Sequence, residues 1–220
     1  GFSMDWLAPE ARPFLEYLIV KRGFDPKDIL YHNMGYVVTG HTMTDSGKYV
    51  PLNNHVIFLT HDKDGNYQYW NSRSIEAKPK IKTFNAPAKD NEYSKRTSVF
   101  NLNTAIKQPD IVIVEGVPDA LTIGPSGVAT FGKQVTDEQV DLIVNNINVK
   151  QNIYIMLDAD AKDLSAKLAQ KIYKKHENTY IVLNDTHSDA NDLGKEETWK
   201  IIKNSSVKAD ENGVMLLYLT

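Results

Sequence analysis

An α+β, locally basic N-terminal half followed by an α/β domain with a mainly parallel sheet flanked by helices is the architecture this sequence predicts. Three observations carry it. In the first half, two runs rich in β-branched and aromatic residues flank a strong turn signal. After about residue 108, short apolar runs alternate with helical patterns. Acids follow directly on several of those apolar runs. The expected division is residues 4–108 and 109–220.

Pro9 suits a first helical turn, and Phe14, Leu15, Leu18 and Ile19 recur at helical spacing up to Gly23. Pro26 opens a second, short helix through Ile29 and Leu30. Residues 55–59 (HVIFL) and 67–75 (YQYWNSRSI) read as antiparallel strands joined at D-K-D-G-N. Tyr69 and Trp70 alternate across the second of these, so one packs inward while the other faces out. Glu76 to Ser98 is polar, interrupted by Pro79 and Pro87, and is expected to be a long loop. Beyond it, IVIV at 111–114 fits a strand buried on both faces. A short helix follows at 117–123, with Gly116 turning the chain off the strand, and then a strand at 128–131. Thr136 caps a helix with Gln139 three residues on and Val140, Ile143 and Ile147 on one face. IYIML at 153–157 and YIVL at 180–183 are further strands, separated by a helix through Leu164, Leu168, Ala169 and Ile172.

Composition removes several classes of function. With 41% hydrophobic and 24% charged residues, the 220-residue chain can close a core. It contains no cysteine, which excludes disulfide frameworks, thiolate zinc sites and cysteine nucleophiles. No apolar run approaches a membrane span, and no basic segment followed by an apolar one suggests a signal peptide. Gly1-Phe2-Ser3 before Met4 reads as an expression remnant and is set aside from fold reasoning. A net charge of −3 argues against a histone-like binder but permits a basic groove beside an acidic metal site.

The acids form the principal chemical signal. Glu115 follows IVIV and Asp119 comes four residues later; Asp158 and Asp160 follow IYIML as D-A-D; Asp189 and Asp192 lie in S-D-A-N-D-L-G beyond YIVL. Parallel sheets gather functional groups at the carboxyl edges of their strands, so these residues can converge from far apart in sequence. If the chain stays extended at 158–160, the i, i+2 spacing aims both aspartates to one side. Clustered carboxylates repel one another, and Mg²⁺ with its preference for hard oxygen ligands compensates them. The plainer alternative is helix capping, with Asp160 capping the helix that contains Leu164. Asp163 fits a first helical turn, and Asp62 and Asp64 fit a turn, since D-K-D-G-N lacks the later acids of a calcium loop. His187 lies near the acids in sequence, with a solvent-facing loop position as its default. Asn191 is expected to shape the loops around the acids.

E-G-V-P-D-A at 115–120, L-D-A-D at 157–160 and D-A-N-D-L at 189–193 resemble the three signature regions of the Toprim domain, shared by bacterial-type primases, topoisomerases and several nucleases. G-V-A-T-F-G-K-Q-V-T at 127–136 is similar to the segment that follows the first region in primases. Y-L-I-V-K-R-G-F at 17–24, M-G-Y-V at 34–37, V-I-F-L-T-H-D-K-D-G at 56–65 and N-S-R-S at 71–74 resemble, in the same order, motifs of the RNA-polymerase domain of bacterial and phage primases. So do K-T-F-N-A-P at 82–87 and S-K-R-T-S-V-F-N-L at 94–102. The chain departs from the family pattern in four places: Arg96 and Asn101 replace glycines, and Phe100 and Thr83 replace tyrosines.

The resemblance implies an α/β Toprim domain in the second half and a DNA primase core that makes short RNA primers on single-stranded DNA from ribonucleoside triphosphates. It implies Glu115 as a metal-linked general acid/base and Asp158 with Asp160 as ligands of Mg²⁺, or of Mn²⁺ in its place. Two ions about 3.5–4 Å apart would be held once substrate is bound. Asp189 or Asp192 is expected at a second metal position or in its outer shell, and Asp119 and Asp192 are expected to position or assist from the edge of the cluster. Arg73, Lys82 and Lys95 fall where family members use basic residues for template, nucleotide or product phosphates. Arg96, in the same basic stretch, and Lys133, placed after Gly132 to reach toward the acidic edge, are further candidates for phosphate contact. Neither a zinc-binding domain ahead of the core nor a helicase-binding domain after it is expected from these residues, so the expected partners include a replicative helicase or a separate template-recognition protein. The compact layout suits a phage, and the expected location is the cytoplasm, that of the host if phage-encoded.

Charge counting agrees with a phosphate-binding role. From Arg73 to Arg96, seven basic residues stand against three acids, an excess of four in a net acidic chain. The plain alternative is a solvated loop. Two rival functions remain open at this level: a Toprim-type metal-dependent nuclease, and a non-catalytic replication accessory module that binds nucleic acid.

Overall fold

The computed structural model describes residues 1–88 and 93–220. Lys89, Asp90 and Glu92, counted in the basic stretch above, lie outside the described residues. The chain forms two compact units, one of Gly1–Thr60 with Tyr67–Lys95 and the other of His61–Asn66 with Arg96–Thr220.

The first unit begins with a 3₁₀ turn, Pro9–Ala11, that runs into α1 (Arg12–Leu15) and then into a π-helical stretch, Glu16–Lys21. The expected helix is therefore present, but its second half is wound more widely. Arg22 N–H donates to the Tyr17 carbonyl five residues back, at 3.0 Å. Phe14, Tyr17 and Leu18 form its buried face. Asp25 caps α2 (Pro26–Tyr31) by accepting from Lys27 N–H at 2.8 Å.

Four strands of the first unit have only three residues: β1 (Gly35–Val37), β2 (His41–Met43), β3 (Tyr49–Pro51) and, later, β6 (Thr83–Asn85). The long strands are the two the sequence marks, β4 (His55–His61) and β5 (Tyr67–Ser74). Five residues join them, too few for a parallel crossover. Asp62 organises that turn, accepting from the backbone N–H groups of Asp64 and Asn66. The main sheet runs β1-β4-β5-β6, and β2 and β3 form a separate hairpin. The stretch 76–98 is thus not a continuous loop, because β6 pairs antiparallel with β5 inside it. Ser3, set aside above, belongs to the fold: it exchanges two 2.8 Å backbone bonds with Tyr36. Tyr69 is buried and donates to the Ala86 carbonyl, while Trp70 is half-buried with its ring 6.0 Å from that of Phe84.

The second unit opens with α3 (Leu102–Ala105), then alternates β7 (Asp110–Val114), α4 (Val117–Ile123), β8 (Gly127–Ala129), α5 (Asp137–Val144), β9 (Asn152–Ile155), α6 (Lys162–Tyr173) and β10 (Thr179–Val182). It continues through α7 (Ala190–Leu193), α8 (Lys195–Asn204), β11 (Ser206–Lys208) and α9 (Glu211–Leu219). The sheet order is β11-β10-β9-β7-β8, parallel throughout except for β11 at the edge. This is the predicted mainly parallel sheet flanked by helices. Strand alternation sorts its side chains: Ile111, Ile113, Ile153 and Ile155 enter one core with α3, α5, α6 and α9. On the opposite face, α4 packs against β7 and β8 and is joined by α7 and α8. The capping box at Thr136 and Gln139 forms in full.

Asn101, which stands where the family pattern has glycine, adopts the left-handed conformation a glycine would supply (φ 62°). Its amide donates to the Gly127 and Pro125 carbonyls at 2.8 and 3.3 Å, so the substitution keeps the turn and adds a tie to β8.

Candidate metal and nucleic-acid site

Every acid singled out in the second half sits beyond the carboxyl end of a parallel strand. β7 ends at Val114 and delivers Glu115; Met156 N–H still donates to the Ile113 carbonyl, at 2.9 Å, just before Asp158 leaves the sheet. The ligand oxygens of Glu115, Asp158 and Asp160 lie within 4.8 Å of one another. Glu115 Oε1 accepts from the Asp158 backbone N–H at 3.2 Å, which ties the two strand ends together.

The route to this convergence differs from the expected one. The chain does not stay extended after Asp158; it enters a 3₁₀ turn, Ala159–Ala161, and that turn brings Asp160 round. Asp160 is not a helix cap either, because Ala161 precedes α6 and no side chain caps it. Gly116 is not a sharp turn: its backbone is extended (φ −106°, ψ 148°). A Cβ there would lie 2.9 Å from Asp119 Oδ2, so the glycine makes room for that carboxylate.

A cleft of about 510 Å³ opens at this sheet edge, lined by Asp119, Asp158, Asp160, His187, Asp189 and Asp192 among others. Asp119 is buried in the first turn of α4, and its Oδ1 accepts from Asn191 N–H at 3.0 Å. Asn191 also donates through Nδ2 to Thr122 Oγ1, so it shapes the loop as expected. Asp189 caps α7 by accepting from Asp192 N–H at 2.8 Å. These three acids line the cleft but stand outside the close triad. The sequence offers little to place His187 in this wall; it holds a left-handed backbone (φ 58°) beside Asp189.

Lys133 is the basic residue bonded into this edge, with Nζ 3.0 Å from Asp160 Oδ2. It gets there because Thr130 and Gly132 N–H groups donate to the Val114 and Glu115 carbonyls, wrapping the chain over the end of β7. Partial burial, then the charge of Asp158, raises the Glu115 carboxyl above its ordinary range. Desolvation, then the charges of Asp189 and Asp160, raises Asp158. Lys133 is raised by its bond to Asp160. Three converging carboxylates are the donor set a hard divalent cation takes, and their mutual repulsion is what such a cation relieves.

Because the Lys133–Asp160 pair is exposed, it contributes little to stability, but its ammonium competes with a cation for Asp160. Lys133→Gln should therefore tighten Mn²⁺ binding to the nucleotide-free protein roughly two- to fivefold, read by calorimetry. Weaker binding in the variant would refute this competition.

The remaining basic candidates occupy other places. Arg73, on β5, is half-buried and its Nε donates to Tyr17 Oη at 3.2 Å. Lys82 is exposed just before β6, and its carbonyl accepts from Ser74 N–H at 3.0 Å. Lys95 is exposed at the end of the first unit. Arg96 is exposed in the second unit, where its carbonyl accepts from Thr136 Oγ1 at 2.6 Å. No described helix is long and apolar enough to cross a membrane.

Neither a family model nor a curated protein sequence matches the chain. Solved structures do. The Escherichia coli primase catalytic core is 16% identical with a TM-score of 0.79, covering 100% of this chain and 80% of that one. The RNA polymerase domain of Mycobacterium tuberculosis primase DnaG is 15% identical with a TM-score of 0.78, covering 98% and 82%. A DnaG primase catalytic domain bound to single-stranded DNA is 17% identical with a TM-score of 0.78, covering 100% and 81%. The chain has the fold of a DnaG primase catalytic core.

Proposed function

We propose that this chain is the catalytic core of a DNA primase, joining ribonucleotides on a single-stranded DNA template by metal-dependent nucleotidyl transfer. The observation that carries the reading is the approach of Glu115, Asp158 and Asp160 to within 4.8 Å at the carboxyl edge of a Toprim-like sheet. Support comes from the fold, since the solved neighbours are primase cores and one of them holds single-stranded DNA.

Glu115, Asp158 and Asp160 would hold Mg²⁺, which when bound supplies Lewis-acid activation of the reacting phosphate and of the attacking hydroxyl. Glu115, its carboxyl raised by burial and the charge of Asp158, holds a proton at Oε1 or Oε2 more readily than an ordinary carboxylate and is suited to pass one on. Asp119, fixed by Asn191, and Asp189 with Asp192 would assist from the cleft wall, at a second ion or through water. Lys133 would turn from Asp160 to a nucleotide phosphate. Arg73, Lys82, Lys95 and Arg96 would contact phosphates of template, nucleotide or product, which gives affinity without base selectivity. A replicative helicase or a separate template-recognition protein would direct the core to its start sites.

The test is incubation of the protein with a single-stranded template, labelled ribonucleotides and Mg²⁺. Template-dependent oligoribonucleotides support the reading. A shortened template without new product would favour a nuclease, and binding that survives chelation without turnover on varied templates would favour an accessory module. Lys82→Ala and Lys95→Ala should each weaken oligonucleotide binding and lower the slope of log affinity against log salt by about 0.7. Unchanged binding across the salt titration would remove them from the interface.

A further inference from the structure

Two guanidinium groups in the first unit meet on one phenol oxygen. Arg22 Nε donates to Tyr17 Oη at 2.9 Å and Arg73 Nε donates to the same atom at 3.2 Å. The ring beneath also carries cations: Arg22 lies 5.1 Å and Lys21 5.5 Å from its centroid. Tyr17 is 5% exposed, whereas both arginines are half-buried, so the oxygen is enclosed and the charged groups remain reachable.

The local winding explains the first contact. In an α-helix, residues five apart point in different directions. Here the π-helical turn, closed by the Arg22-to-Tyr17 backbone bond, sets Arg22 over Tyr17. The second contact comes from β5, fifty-six residues away. Both bonds engage Nε, and the terminal Nη groups of a guanidinium are also donors that phosphate oxygens match in pairs. Among the described residues no carboxylate forms an ion pair with Arg73.

We propose that Tyr17 is a positioning residue: its phenol oxygen is the shared acceptor that holds Arg22 and Arg73 as a clamp for a phosphate group. This rests on the reading above that Arg73 contacts phosphate, and it adds Arg22 to the contact and names what orients both. The phosphate belongs either to the backbone of the single strand or to the triphosphate of a nucleotide.

The full chain and its Tyr17→Phe, Arg73→Lys and Arg73→Ala variants test this. Fluorescence anisotropy with labelled oligo-dT of sixteen residues and calorimetry with ATP, both in EDTA, read the two phosphate sources apart from the acidic site. Tyr17→Phe keeps the buried ring and every positive charge but removes the shared acceptor. Its affinity should fall roughly tenfold with an unchanged salt slope. Arg73→Lys should do the same, since an ammonium keeps the charge but lacks the fork. Arg73→Ala should lose affinity and also lower the oligonucleotide slope by about 0.7. Loss confined to the oligonucleotide assigns the clamp to the strand, and loss confined to ATP assigns it to the triphosphate. If Tyr17→Phe binds both probes like the wild type while Arg73→Ala binds more weakly, the positioning role of Tyr17 is wrong and the phosphate reading of Arg73 stands. If Arg73→Ala binds both probes like the wild type, the phosphate reading falls as well. Melting curves of the variants guard against a trivial loss of fold, and Arg73→Lys repeats the test without touching the π-helical turn.

Discussion

Glu115→Gln should lower primer synthesis by about a thousandfold or more while raising the melting temperature of the metal-free protein. The first effect follows from losing one ligand of the proposed divalent site, whose charge stabilisation would be worth several kcal/mol, about 4 of which correspond to a factor of a thousand. The second follows from the crowding of the acids. Glu115 and Asp158 both titrate above ordinary carboxylates because they are withdrawn from water and face other negative charges. Below the unfolded-state pKa both forms hold their protons and there is no difference. As pH rises past that value the unfolded chain releases the proton while the folded chain keeps it, so stability falls until the raised folded-state pKa is passed. Above that folded-state pKa the whole penalty is present. Glutamine removes the charge and can still accept the bond from Asp158 N–H.

The stabilisation should therefore grow with rising pH without metal and shrink on acidification towards the ordinary carboxylate range. Mg²⁺ should raise the melting temperature of the wild type and leave the variant almost unmoved. Wild-type turnover should decline on acidification at a higher pH than ordinary carboxylates would require, because protons compete for Glu115 and Asp158. A variant that melts below the wild type at pH 8 would contradict the repulsion, and one that keeps full turnover would remove Glu115 from the metal site.

The second large effect is steric. Gly127 begins β8, and a Cβ on it would lie 2.3 Å from the Ala120 carbonyl oxygen and 2.9 Å from that residue's Cα and carbonyl carbon. All of these are backbone atoms of α4, so no rotamer change relieves the clash. Gly127→Ala must push α4 away from β8, and α4 carries Asp119 into the cleft. The expected cost is about 2–3 kcal/mol, or roughly 5–10 °C in Tm, with metal binding weakened because the cleft wall moves. Adding Ala120→Gly should not rescue the variant, since the contact is with the main chain. Melting and Mn²⁺ titration of the single and double variants check this. A single variant that melts with the wild type would show that β8 and α4 separate at little cost.

Periodicity and local chemistry made the second unit readable without coordinates. A strand buried on both faces is a compact apolar run, as at 111–114, and a capping box such as Thr136 with Gln139 is closed within four residues. The position of acids after such strands placed Glu115 and Asp158 at one sheet edge before any distance was known. Most of the three-residue strands are different, β8 being the exception that an apolar run marks. β1, β2, β3 and β6 are too short to show alternation, and each exists only through a partner strand elsewhere in the chain. The same holds for β11, whose antiparallel place at the edge depends on β10.

The order of the motifs, the helix caps and the parallel layering are thus properties of the sequence, because each arises from neighbours along the chain or from burial that repeats with a fixed period. Only the tertiary structure decided that a 3₁₀ turn rather than an extended segment brings Asp160 to Glu115, that Lys133 pairs with it, and that Arg22 and Arg73 share Tyr17. Those contacts join residues 27 to 56 positions apart or depend on backbone winding. Pairing at such separations is selected by the packing of whole elements, and no local pattern of side chains encodes it.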